Sequence, residues 1–177
     1  MGGSFCSRLG RCRQTGLKKT PIGIFCDVVM SRQIGFTGRL QPSNPAPAQC
    51  IRRRITIKKV TQEEIDSMKF AVRVCEQVKS NAIVMVQGLA TVGIGPGQTS
   101  RVEAVRIAAR RAGERADGCV LASDAFFPFA DGLEQAAAAG AASIVQPGGS
   151  IRDQEVIDAA NRLGVSMLFT GHRLFRH

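Results

Sequence analysis

The sequence predicts an α/β fold, a three-layer sandwich around a mixed sheet. Three observations carry that expectation. From Gly118 onward, short apolar runs of strand length alternate with helical patterns. Earlier, the apolar runs Ala82 to Val86 and Ala90 to Ile94 flank Gly88, which predicts an antiparallel hairpin. The composition is rich in Ala, Val and Ile and lacks Trp and Tyr, which suits an aliphatic core.

A chain of 177 residues has the length of one domain with an appendage. Residues 1–54 are expected to form a poorly structured basic leader, disordered or artefactual, such as a shifted reading frame or a wrong start site would produce. They carry scattered Gly, Pro and Arg with little periodicity, and only Ile22 to Met30 suggests a short strand. Three prolines in Pro42-Ser43-Asn44-Pro45-Ala46-Pro47 make a stiff linker, closed by Arg52-Arg53-Arg54.

The ordered part is expected to span 55–177. Thr61 and Glu64 form a capping-box signal, and Ile65, Met68, Val72, Cys75 and Val78 recur at helical spacing. Lys79, Ser80 and Asn81 are expected to end that helix. The hairpin strands follow, then a loop with Gly93, Gly95 and Gly97. Ser100 and Glu103 cap the next helix, whose apolar positions include Val102, Val105 and Ala109. Strand, helix, strand, helix and strand follow at Cys119 to Ala122, Asp131 to Ala139, Ser143 to Gln146, Arg152 to Leu163 and Val165 to Phe169. Gly164 is a candidate helix stop.

Charge is divided unevenly. Residues 1–60 hold 12 Lys and Arg against Asp27 alone, and the remainder is close to neutral. Such an arm could bind nucleic acid or an anionic membrane non-specifically, but it lacks alternating basic and aromatic residues. A plain leader is the simpler expectation. No apolar stretch reaches the roughly 20 residues of a membrane span, and the N-terminus makes a poor secretory signal. Cys6, Cys12, Cys26, Cys50, Cys75 and Cys119 show no paired metal-ligand spacing and read as reduced thiols of a cytoplasmic protein.

Several segments suggest chemistry. Ser123-Asp124-Ala125-Phe126-Phe127-Pro128-Phe129 follows a strand and offers flat apolar faces where ligands sit in open α/β sheets; a buried aromatic plug is the plain alternative. In Gly93 to Arg101, glycines let backbone approach a ligand and Arg101 adds charge at a helix start, although an ordinary connection has the same pattern. Asn81 offers an amide or a helix cap. Arg173 follows the last strand and could pair with phosphate or carboxylate, or be an ordinary surface residue. Asp131 suits a helix start, and Gly148-Gly149-Ser150 suits a helix N-cap.

In order and spacing, Lys79-Ser80-Asn81, Gly93 to Arg101, the Ser123 to Phe129 run, Gln146-Pro147-Gly148-Gly149-Ser150-Ile151-Arg152-Asp153 and the ending from Phe169 to His177 resemble one family. It is the bifunctional purine-biosynthesis enzyme, AICAR transformylase/IMP cyclohydrolase. The resemblance runs from about Val60 to His177 and covers the last portion of the transformylase region. It implies a cytidine-deaminase-like fold and a role in formyl transfer from 10-formyltetrahydrofolate to an aminoimidazole carboxamide ribonucleotide. It implies nucleotide contacts at Asn81, Arg101, Phe126 and Arg173, and folate contacts at Ser150, Ile151, Asp131 and the backbone of Val102. Metal is not implied. The family's catalytic Lys-His pair has no counterpart here, so the chain alone is expected to be weak or inactive. A homodimer, or a partner supplying the missing lobe, is the implied remedy. Ala130 stands where the family usually has a basic residue.

Two other readings differ in class. A non-enzymatic nucleic-acid-binding protein would use the basic N-terminal segment. A zinc deaminase, suggested by fold alone, needs a ligand set that this sequence lacks.

Overall fold

The computed structural model describes residues 53–177, which fall in the second of the chain's two units, Gln41–His177. The expected strand at Ile22 to Met30, the proline linker and Cys6, Cys12, Cys26 and Cys50 lie outside the described residues. In chain order the elements are β1 (Arg53–Arg54), α1 (Gln62–Cys75), β2 (Ile83–Gln87), β3 (Ala90–Gly95) and α2 (Arg101–Ala112). A short 3-10 turn (Gly113–Ala116) leads to β4 (Val120–Ser123), α3 (Ala130–Ala138), β5 (Ser143–Gln146), α4 (Asp153–Arg162) and β6 (Ser166–Phe169).

Local chemistry explains most of the boundaries. At the start of α1 the Thr61 hydroxyl accepts from the Glu64 amide at 3.1 Å, and Glu64 Oε2 accepts from the Thr61 amide at 2.7 Å. This reciprocal pair satisfies two N–H groups that the helix cannot. The helix ends at Cys75, earlier than expected, because the chain tightens there: Gln77 and Val78 donate to carbonyls only three residues back. Asn81 therefore does not cap α1 and instead leads into β2. At α2 the Ser100 hydroxyl accepts from the Glu103 amide at 3.5 Å.

The strands form one mixed sheet in the order β1-β6-β5-β4-β2-β3. β4, β5 and β6 run parallel, β2 is antiparallel to both its neighbours, and β1 is antiparallel to β6. The sheet thus begins two residues before the expected boundary at Ile55. Ile55 then donates to the Met167 carbonyl at 3.1 Å, and the Thr56 hydroxyl accepts from the Met167 amide at 2.8 Å.

Alternation along each strand builds two cores. Ile83, Met85, Leu121, Ile144 and Met167 point to the side holding Ala104, Val105 and Ala108 of α2, Leu133 and Ala136 of α3, and Val156 and Ala160 of α4. The intervening Val84, Val86, Ala122 and Val145 are buried as well, and α1 packs against β4, β2 and β5 with Met68, Ala71, Val72 and Cys75 buried. The result is a three-layer α/β sandwich, as the sequence predicts.

Two glycines have a different job from the expected one. Gly93 and Gly95 lie in β3 rather than in a ligand loop. A Cβ on Gly95 would stand 2.0 Å from the Ala104 carbonyl oxygen, and one on Gly93 would stand 2.1 Å from that of Ala108. Their missing side chains let α2 lie directly on the strand. Only Gly97 of the three sits in the connection.

Register gathers the chemistry at one end. Ile83 pairs with both Ser123 and Gly95, Ala122 pairs with Val145, and Gln146 pairs with Phe169. The segments after β3, β4, β5 and β6, and the segment before β2, therefore all emerge at the same end of the sheet. In open α/β sheets this end is where ligands bind.

Candidate functional site

Arg101, the first residue of α2, points inward rather than to solvent and is only 9% exposed. Its Nη1 donates to Asp124 Oδ1 at 2.5 Å and to the Ser123 hydroxyl at 2.8 Å, and its Nη2 donates to Asn81 Oδ1 at 2.9 Å. The charge expected at this helix start is thus held in a buried ion pair with Asp124, which is 0% exposed. Asn81 is held from both ends, since its Nδ2 donates to the Gln98 carbonyl at 2.9 Å. Its backbone pairs with Gln98 in both directions, and the Ser80–Asn81 peptide is cis.

The aromatic run divides by depth. Phe127 is fully buried under α3, and a Cβ on Gly132 would stand 2.7 Å from its ring. Its amide donates to Gln146 Oε1 at 2.7 Å, and Gln146 Nε2 reaches Met167 Sδ at 3.2 Å. Phe127 is therefore the core plug that the plain alternative foresees. Phe126 is half-buried with the Arg173 guanidinium 4.8 Å above its ring centroid. Phe129 is exposed, with Arg152 4.9 Å above its ring. Gln146 was missed in the sequence; a lone amide in the apolar strand Ser143-Ile144-Val145-Gln146 was its signal.

The C-terminal segment closes the arrangement. Leu174 donates its amide to the Asp124 carbonyl at 2.8 Å, Ser80 donates to the Arg176 carbonyl at 2.9 Å, and Arg176 donates to the Ser80 hydroxyl at 3.0 Å. Arg173 itself is exposed and makes no ion pair among the described residues. The four expected nucleotide contacts thus form two pairs, Asn81 with Arg101 and Phe126 with Arg173, joined through Ser123 and Asp124.

Beside them lies an open cleft of ≈ 460 Å³, lined by Phe126, Pro128, Phe129, Gly149, Ser150, Ile151 and Arg152. It brings the expected folate contacts Ser150 and Ile151 to Phe126. Asp131 and Val102 are not in its lining. Asp131 is exposed in the first turn of α3 and accepts from the Gly132 amide at 2.7 Å; Val102 is half-buried in the first turn of α2. Ser150 does not cap α4. Its hydroxyl accepts from the Arg152 amide at 3.1 Å inside the preceding turn, and Asp153 Oδ2 ties that turn to the Gly149 amide at 2.7 Å.

Two thiols lie in the core. Cys75 is pushed well above the usual thiol range, first by burial and then by the Asp124 charge, with Arg101 opposing. Burial also raises Cys119, to about 11. Both are therefore held as unreactive thiols. Among the described residues no group of three His, Cys, Asp or Glu is placed to hold a metal ion, and no helix is long and apolar enough to cross a membrane.

The AICARFT/IMPCHase bienzyme family matches residues 38–111. The bifunctional purine biosynthesis protein PurH of Acetivibrio thermocellus is 58% identical over 123 residues, covering 70% of this chain and 24% of the relative. PurH of Parvibaculum lavamentivorans is 55% identical over 133 residues, covering 70% and 25%. This chain corresponds to a partial region of that purine biosynthesis protein. It spans about a quarter of the length of these relatives. Among solved structures, Acinetobacter baumannii RibD in form 1 aligns with a TM-score of 0.44 at 16% identity, over 61% of this chain and 34% of that one.

Proposed function

We propose that this chain forms the ribonucleotide-positioning part of an AICAR transformylase site. In that reaction a formyl group passes from 10-formyltetrahydrofolate to the amine of an aminoimidazole carboxamide ribonucleotide. The observation that carries the reading is the meeting of Asn81, Arg101, Phe126 and Arg173 at one end of the sheet, around Asp124.

Each group has a role its surroundings permit. Arg173 carries an exposed guanidinium with one face on a ring, which leaves its N–H edge for a phosphate. Phe126 offers the stacking face for a flat heterocycle. Arg101 and Asn81 are already engaged, so they present fixed residual donors suited to a neutral carboxamide rather than a free charge. Ser150 and Ile151, in the aromatic cleft, suit the flat pterin end of the folate. Asp131 and Val102, in the first turns of two helices and outside that lining, are the further folate contacts of this reading.

Formyl transfer joins the amine nitrogen to the formyl carbon, releases folate N10 and moves one proton from the amine toward N10. The amine is a weak nucleophile, so orientation and a general base are both needed. This chain supplies orientation. Its His172 and His177 are exposed near the C-terminus and lie outside the Arg101 network, so the base comes from a further lobe, outside the described residues, that completes the site. The setting is cytoplasmic, and no metal takes part.

Titration of the chain with the aminoimidazole carboxamide ribonucleotide, followed by NMR, tests this. Resonances of Asn81, Phe126 and Arg173 are expected to shift, and the parent nucleoside without phosphate is expected to bind about ten-fold more weakly or worse. Equal response to nucleotide and nucleoside, or shifts elsewhere on the molecule, would remove the reading. A formyl-transfer assay checks the missing base: turnover by the purified chain at ordinary enzyme rates would refute the division of labour.

A further inference from the structure

Asp124 is the one fully buried carboxylate of the described residues, and the reading above gives it no contact with ligand. Everything at the site nonetheless passes through it. Its Oδ1 holds Arg101 Nη1, whose other terminal nitrogen holds Asn81. Its amide donates to the Ala82 carbonyl at 3.2 Å, beside Asn81. Its carbonyl accepts from Leu174, the residue after Arg173, and two residues further along its own segment stands Phe126 under that arginine. Its second oxygen, Oδ2, is buried with no partner among the described residues. An orphaned carboxylate oxygen is unfavourable, and an apolar residue of similar size would fill the space more stably. Stability alone therefore does not account for a charge here; orientation of a guanidinium does.

We propose that Asp124 is the positioning residue of this site. Its carboxylate fixes the plane of the Arg101 guanidinium, and its main chain fixes the C-terminal segment that presents Arg173, so one residue sets the separation between the two halves of the ligand. The same charge neutralises Arg101 and leaves Arg173 as the cation that an anionic ligand meets. This rests on the ribonucleotide reading for its ligand but not for its geometry.

The test compares the full chain with Asp124→Asn and Asp124→Glu, reading the arginine side-chain NMR signals without ligand and then the affinity for the aminoimidazole carboxamide ribonucleotide. The wild type is expected to show a slowly exchanging, displaced Arg101 signal. In Asp124→Asn that signal moves to the position of mobile arginines, and affinity falls about ten-fold or more. Asp124→Glu, which keeps the charge but lengthens the arm, is expected to fold, to retain an ordered but displaced Arg101 signal and to recover part of the affinity. It carries the test if Asp124→Asn does not fold. An Arg101 signal unchanged in both variants overturns the proposal, as does wild-type affinity with Arg101 released. If the wild type binds no nucleotide, the functional reading falls, and the arginine signals still decide whether Asp124 positions Arg101.

Discussion

At the scale of single residues, carboxylates do the organising. Asp124 anchors the site, and Glu64 performs a similar task at the opposite end of the sheet. Its Oε2 closes the α1 cap while its Oε1 accepts from the buried Ser143 hydroxyl at the start of β5. Burial acts to raise the Glu64 carboxyl, but the hydrogen bonds from Ser143 and Thr61, with Lys58 nearby, together hold it below its ordinary value of 4.5. A lowered folded-state value means the stabilisation is complete above the unfolded value and is lost as pH falls through the folded one. Glu64→Gln is therefore expected to be less stable than the wild type at neutral pH, by about 1 kcal/mol. The two melting curves should converge as the pH is taken through 4.5 and lower. A gap that persists unchanged into strong acid would show that the charge plays no part. Much at this scale escaped the sequence. Asp124 and Arg101 stand 23 positions apart, and neither residue type in its own segment announces the other. Arg101 read as a charge at a helix start, with no sign of the carboxylate that holds it.

At the scale of elements, the sequence was far more legible. Apolar alternation in β2 and β4, and the Thr61 with Glu64 cap, are local signals that local structure obeys. What failed was the meaning of glycine. Gly93 and Gly95 read as freedom for a ligand to approach, whereas the approaching group is the backbone of α2; that knowledge needs the helix in place. Gly95→Ala is expected to lift α2 from β3 and lower stability by about 1–3 kcal/mol, with faster hydrogen exchange in the amides of both elements. Because Arg101 opens α2, the same substitution should also weaken ribonucleotide binding. Unchanged stability would mean that helix and strand lie further apart than described. The aromatic run shows the opposite case: Phe127 is the buried plug, Phe126 and Phe129 keep accessible faces, and only burial separates them.

At the scale of the molecule, the three-layer sandwich was visible from element order, and so was the family resemblance. The basic excess belongs to the first 60 residues of the sequence, whereas Asn81, Arg101, Phe126 and Arg173 all come from later in the chain. Removing residues 1–40 is accordingly expected to leave ribonucleotide affinity unchanged. The nucleic-acid reading makes the contrary demand on the same shortened chain. It requires salt-sensitive binding to duplex DNA or RNA by the full chain, lost when those residues go. Equal affinity for nucleic acid in both chains eliminates it.

The pairing of the outermost strand also bears on how the protein is made. Thr56 leaves the ribosome long before Met167, its hydrogen-bond partner 111 positions downstream. Throughout that interval β1 has no neighbour, and the acceptors and donors it will offer to β6 face water or chaperones. Contacts of such sequence separation form late and slow folding. Synthesis therefore has a waiting period built into it, and docking of the opening strand registers that the final one has arrived.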